Sequence, residues 1–423
     1  MKIWIQNRLQ QHTGFLVAWA GAAAFLSYFA MYMFRKPFTA GTYDTIVSHG
    51  LDFKSILVIS QIIGYAISKF IGIRFISSLQ KKYRYFSYLA CILLSEFALI
   101  LFALFPTPFG GLFLLLSGLP LGLIWGIVFQ YLEGRKVSEI LTVMLSANFV
   151  LASGVAKSIG SWCLQMGVNE TSMPAVIGIF SIPLCFVAVW MLEQIPEPNN
   201  QDVLQRQLRV TMGTENRKSV FRQYGSMLLM FSLIYIVLTA IRDVRDNFAV
   251  EIWHAMGYKG AVSLYTMTEL PVTMVLLISL GMLFLIKDNR KALRVQFGMI
   301  GISILLFLFS TVLYFIGSLP PTYWMIVSGI GLFIPYILFN GILFDRMIAA
   351  FQMKANVGFF MYLVDTAGYV FSVFIIFWKT MGGNLLSWLD FYLNICLIGG
   401  SLLLILVIPL WYIFKSSFSI RKI

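Results

Sequence analysis

Charge is scarce in this sequence. Asp, Glu, Lys and Arg make up 12% of its 423 residues, against 59% hydrophobic residues. Mean hydropathy is +0.84. A water-soluble chain of this length needs far more polar surface, so a soluble globular protein is excluded. Histidine is nearly missing: His12, His49 and His254 all stand near segment ends, which argues against a histidine switch inside a membrane. The cysteines, Cys91, Cys163, Cys185 and Cys396, lie in or beside apolar runs without metal-ligand spacing and read as packing residues. No metal-ligand cluster, nucleophile–base pair or Walker loop is present, so no cofactor is expected and a membrane enzyme is disfavoured. The first apolar run, from Phe15, has no cleavage pattern behind it, and the alternating ten-residue segments of a membrane β-barrel are missing.

What the sequence has is long apolar runs. Twelve stand at about 13–35, 54–75, 85–105, 111–132, 139–163, 174–193, 224–248, 261–286, 292–317, 321–344, 355–378 and 388–414. Each is long enough to cross a hydrocarbon core of about 30 Å. Turn residues separate them, as in FPTPFGG at 105–111 and GSLPPTY at 317–323. The longest polar stretch, 194–223, divides the chain into an N-terminal bundle at 1–193, a linker, and a C-terminal bundle at 224–423. The expected fold is therefore an all-α membrane protein with twelve transmembrane helices in two six-helix bundles. This plan resembles that of the major facilitator superfamily.

With both termini cytoplasmic, most of the 31 Lys and Arg fall on cytoplasmic segments such as QKKYR (80–84) and KDNRKALR (287–294). The net charge of +13 then reflects topology and not nucleic-acid binding. Lys36, Lys54, Lys259 and Lys379 fall on the other side. Arg35, Lys69, Lys157, Arg242 and Arg245 are left inside apolar spans. A cation at the bilayer centre costs about 2.5–3.5 kcal/mol on insertion scales, so these five call for a wet cavity or paired acids. Acids are available within the spans: Asp243, Asp246, Glu269 and Asp365, with Glu96 alone in span three.

Tyr28, Tyr32 and Arg35 follow the spacing i, i+4, i+7 and share a helix face that leads to the cation; Tyr65 is on span two. In AIRDVRDNF (240–248), Arg242, Arg245 and Asp246 share a face, Arg242 is in reach of Asp246, and Asp243 points elsewhere. Spans one and seven are equivalent elements of the two halves. An arginine from each is suited to clamping an anion, because the planar guanidinium binds two oxygens at once. The alternatives stay open: interface arginines and tyrosines with snorkelling side chains, and a structural ion-pair knot in span seven. Lys36 reads as an interface cation. In a facilitator fold Lys69 is expected to face Asp365, and Lys157 to face Glu269, as gating pairs or as permanent bridges. Glu133–Arg135 and Asp345–Arg346, at the ends of the fourth helix of each half, form a faint internal repeat.

YFAMYMFRKPF (28–38) with IIGYAISKF (62–70) resembles the organophosphate:phosphate antiporter branch of the major facilitators. Those proteins place Tyr-x3-Tyr-x2-Arg-Lys on span one, Ser-Lys-Phe on span two and an arginine on span seven. The resemblance implies Tyr32, Arg35, Lys69 and Arg242 as substrate ligands. It departs at Ala147, before Asn148, where the branch carries histidine, and in IRFISSLQKKYR (73–84), where the facilitator loop motif is degraded. YLEGRKVSEIL (131–141) and NVGFFMYLVDTAGY (356–369) look more like a further bacterial branch of the superfamily.

The resulting expectation is a monomeric secondary transporter of a small organic anion in the bacterial inner membrane. Arg35, Arg242, Arg245, Lys69, Tyr32, Tyr28 and Tyr65 are its substrate-site candidates. Lys157, Glu269, Asp365 and Asp246 are its coupling or gating candidates, with protons or a counter-transported anion as driving partner. A membrane sensor or assembly component that kept the fold and lost transport is the alternative.

Overall fold

The computed structural model describes residues 2–44, 46, 52–133, 135, 137–198, 214–353, 355, 357–382 and 386–419. Most of the expected linker, 199–213, and His49 lie outside the described residues. The chain is helical: α1 Lys2–Gln11, α2 Thr13–Arg35, α3 Phe53–Ser78, α4 Lys81–Leu104, α5 Gly110–Leu132, α6 Ser138–Ser146, α7 Leu151–Gln165 and α8 Met173–Glu193 come first. They are followed by α9 Thr214–Asn247, α10 Ala249–Ala255, α11 Leu264–Gly281, α12 Asn289–Phe315, α13 Pro321–Ile337, α14 Leu343–Phe351, α15 Val357–Met381 and α16 Trp388–Ser419. Among the described residues, 12 helical segments are long and apolar enough to cross a membrane.

Contacts gather the chain into two compact units. The first contains Met1–Arg206, Asp246–Thr273 and Ile376–Leu385; the second contains Gln207–Arg245, Met274–Ile375 and Leu386–Ile423. The end of α9, from Asp246, therefore clusters with the first unit.

In the first unit, small residues let helices approach closely. The buried face of α2 carries Ala20, Gly21, Ala23, Ala24 and Ser27. Gly118 and Gly122, one turn apart on α5, receive α3: a Cβ on them would fall 2.5 Å from the Gln61 carbonyl oxygen and 2.6 Å from Ser68. The α3 helix starts at Asp52, whose carboxylate accepts from the Lys54 and Ser55 amides at 3.3 and 3.2 Å. The α2 helix stops at Arg35. Pro37 lacks the amide hydrogen a continuing helix would use, and the chain turns through a 3-10 segment, Pro37–Ala40.

In the second unit, α12 and α13 form a hairpin closed by Tyr314 stacked on Trp324, ring centroids 4.1 Å apart. Between α13 and α14 the helix is interrupted by a π-type turn, Leu338–Ile342, in which Gly341 takes φ 125°. Only glycine adopts that conformation without strain. Large apolar side chains such as Phe180 (81% exposed) and Ile398 (71% exposed) point outward, as a lipid-facing surface requires.

Candidate functional site

The first unit brings Tyr28, Tyr32 and Arg35 of α2 together with Tyr65 and Lys69 of α3. Helical spacing aligns the residues on each helix, and α5 sets the distance of α3. All five side chains are buried. The hydroxyls of Tyr28 and Tyr65 lie 3.1 Å apart. The Tyr28 ring meets Tyr32 edge-on at 5.5 Å. The Arg35 guanidinium lies 4.1 Å from the Tyr65 ring centroid and 5.6 Å from that of Tyr32. The Lys69 ammonium lies 5.2 Å from the same Tyr65 ring and 5.7 Å from Trp125 on α5. Each such contact is worth about 2 kcal/mol when desolvated. Arg35 and Lys69 thus bring two cations to one aromatic ring.

At the very next residue, where α2 gives way to the 3-10 segment, the unit holds a three-charge cluster. Lys36 bonds Asp246 Oδ2 at 2.5 Å, and Lys157 of α7 bonds Asp246 Oδ1 at 2.6 Å. Ser153 Oγ donates to the same carboxylate, and Lys36 also donates to Asn247 Oδ1 at 2.7 Å. Nearby, Lys54 pairs with Glu251 at 2.5 Å and donates to the Thr39 carbonyl at 2.8 Å. Ser158 of α7 bonds Thr266 of α11 at 2.8 Å. These pairs fasten α2, α3 and α7 to the segment after Asp246.

Two expectations need correction here. Lys36 is buried in the cluster and is not an interface cation, because Asp246 and Asn247 take its ammonium. Lys54 is likewise buried and paired. Lys157 gives its ammonium to Asp246, whereas Glu269 lays its Cβ and Cγ against Gly154, one turn away from Lys157 on α7.

The second unit has its own cluster. Arg242 pairs with the adjacent Asp243, at 3.0 Å from Nε and 2.5 Å from Nη2, and not with Asp246. It also donates to the Tyr336 hydroxyl and lies 4.4 Å from that ring and 5.8 Å from Tyr369. Ser372 donates to the other oxygen of Asp243 at 2.6 Å. Tyr235 stacks on Tyr336 at 5.3 Å and donates to Asp365. Asn340, in the π-type turn, donates to the Tyr235 hydroxyl at 3.2 Å and to the Tyr336 carbonyl at 3.0 Å. Arg245 leaves this group: it is turned onto α13, donating to the Met325 carbonyl at 2.9 Å and to Ser328 at 3.4 Å.

Sequence reasoning missed Ser153, Asn247, Glu251, Trp125, Tyr235 and Tyr336. A signal existed for two of them. Ser153 stands four residues before Lys157, and Tyr235 stands seven before Arg242, as Tyr28 stands seven before Arg35. The arginines of the faint repeat bond to segments distant in sequence. Arg135 donates to the Pro196 carbonyl, and Arg346 to Asn289 at 2.8 Å and to the Leu283 carbonyl at 3.3 Å.

Twelve candidate spans make this a multi-pass integral membrane protein, and similarity to solved structures gives it the major facilitator fold. The structure is similar to the nucleoside transporter NupG (14% identity, TM-score 0.61, covering 95% of this chain and 99% of that one). It is also similar to a D-xylose-proton symporter (12% identity, TM-score 0.61, 94% and 96%) and to an auto-inhibited POT family peptide transporter (12% identity, TM-score 0.55, 95% and 96%). No curated protein matches. The chain belongs to the family of unknown function DUF5690, which matches residues 37–417.

Proposed function

We propose that this protein is a secondary transporter of a small organic anion, working by alternating access in the bacterial cytoplasmic membrane. The observation that carries the reading is the pair of buried cations, Arg35 and Lys69, on the Tyr65 ring. A carboxylate or phosphate placed beside this ring meets both cations at once. Arg35 supplies a planar fork for a carboxylate or phosphate, Lys69 a point charge, and Tyr28, Tyr32 and Tyr65 hydroxyls for the remaining oxygens. A phosphorylated substrate is the finer form of this reading, in keeping with the Tyr-x3-Tyr-x2-Arg-Lys and Ser-Lys-Phe motifs. In the second unit, Arg242 is the corresponding guanidinium among tyrosines, and Arg245 serves the packing of α13. Lys157 and Asp246, joined by Lys36, act as the gate. Asp365 and Glu269 are carboxyls for coupling to an ion gradient. The fold also serves a sensor that binds the anion without moving it.

Flux decides. Proteoliposomes containing the protein take up labelled inorganic phosphate or organophosphate by exchange, and Arg35→Ala lowers the rate at least about tenfold, a loss of about 1.4 kcal/mol. A thermal-shift screen with phosphates, sugar acids and dicarboxylates identifies the ligand. Ligand stabilisation lost in Arg35→Ala, with no flux in the wild type, supports the sensor instead.

A further inference from the structure

Glu96 has no part in either cluster. It lies on the buried face of α4 with Tyr88, Cys91, Ile92, Ser95 and Leu99, and is 4% exposed. Among the described residues, neither carboxyl oxygen has a hydrogen-bond partner. The carboxyl fills a notch on α8. A Cβ at Gly178 would strike its Oε2 and come within 3.1 Å of the Phe34 ring on α2. The bare glycine is thus what admits an acid into the seam of α2, α4 and α8. Ser95, its chain neighbour, is engaged with Ser117 of α5 at 2.8 Å.

An ionised carboxylate without a partner in such packing is far more costly than a neutral carboxyl. The notch therefore suits the protonated acid. Its wall on one side is Phe34, the residue before Arg35. A shift of α2 that withdraws this ring brings water, or the guanidinium, to the carboxyl and favours the ionised form. The titratable and charged groups on the elements packed against α4 are Tyr28, Tyr32 and Arg35 on α2, Tyr131 on α5, and Cys185 and Glu193 on α8. Tyr88 and Cys91 share the face of Glu96 itself. Tyr28 is bonded to Tyr65, Tyr88 donates to the Ser27 carbonyl at 2.8 Å, and Tyr131 donates to Glu193. Arg35 is the positive charge on the α2 face.

We infer that Glu96 is a proton-binding site, loaded in the notch between Phe34 and Gly178 and emptied when α2 moves. On release the carboxyl O–H bond breaks, the proton passes to water and the electron pair stays on the carboxylate; reloading is the reverse. The coupling of this step to flux rests on the transporter reading, whereas the proton site itself does not.

Infrared spectra of the full chain in lipid, recorded over roughly pH 5 to 9, read the proton directly. The expected result is a protonated-carboxyl band that weakens as pH rises, is lost in Glu96→Gln and shifts in Gly178→Ala. A band that is absent, that survives in Glu96→Gln, or that is unchanged over the whole range overturns the inference. In proteoliposomes, a pH gradient is expected to raise wild-type uptake of labelled phosphate several-fold and that of Glu96→Gln by clearly less. An equal response of the variant overturns the coupling. Wild-type vesicles that move no phosphate under any gradient count against the phosphate-transport reading, and the infrared band still decides the proton site.

Discussion

Lys157 and Lys36 hold opposite oxygens of one carboxylate, that of Asp246, at 2.6 and 2.5 Å. The three charges are largely withdrawn from solvent and the group carries an excess positive charge. Asp246 is therefore the member on which the other two depend.

Asp246→Asn is expected to lower the melting temperature more than Lys36→Met or Lys157→Met. Removing the carboxylate strands two ammonium groups, and a single stranded buried charge already costs about 3–5 kcal/mol. Removing one lysine leaves a balanced pair. Thermal unfolding in detergent, followed by intrinsic fluorescence, measures the three drops. Equal drops would show that the carboxylate does not serve both lysines at once.

Arg35→Lys separates charge from shape. The guanidinium stacks 4.1 Å from the Tyr65 ring centroid, and lysine keeps the charge but loses the planar fork. Under the proposed function, anion exchange is expected to fall about tenfold or more, with the melting temperature nearly unchanged. Exchange at the wild-type rate would mean that a point charge is sufficient there.

The spans were legible because hydropathy over about 20 residues is a strong signal. The Tyr28, Tyr32, Arg35, Tyr65 and Lys69 group was legible for a different reason. Its members obey helical spacing on two consecutive spans, so one contact between those spans assembles all of them. The ion pairs were not legible. Helical spacing offered Arg242 to Asp246, but Asp246 sits in the last turn of α9, where Lys36 and Lys157 come to it from other helices. The long Arg242 side chain then folds back onto Asp243. Lys36 was misjudged because a Pro after a cation looks like the end of a span. In the structure it is the start of a buried turn.

Gly341→Ala tests the interruption between α13 and α14. At φ 125° an alanine is strained by about 1–3 kcal/mol, so the melting temperature is expected to fall. Gly298→Ala, in the regular helix α12 with nothing within 4 Å of the added Cβ, is expected to leave it unchanged or raise it. Similar effects at both positions would mean that the π-type turn relaxes freely.

The cluster around Asp246 should also respond to alkali through Lys36, which lies just past the α2 span. Burial, outweighing the pull of Asp246, pushes its ammonium down to about 8. The sign follows directly: below that pH Lys36 is charged and holds Asp246, and as pH rises through it the proton leaves and Asp246 keeps only Lys157. Hydrogen–deuterium exchange of the Pro37–Ala40 turn, compared with Lys36→Met at the same pH, cancels the intrinsic dependence of exchange on pH. At pH ~7 the wild type is expected to be better protected than the variant, and at pH ~9 the two should converge. A difference that persists undiminished at the higher pH would mean that Lys36 keeps its proton and that Asp246 dominates its surroundings.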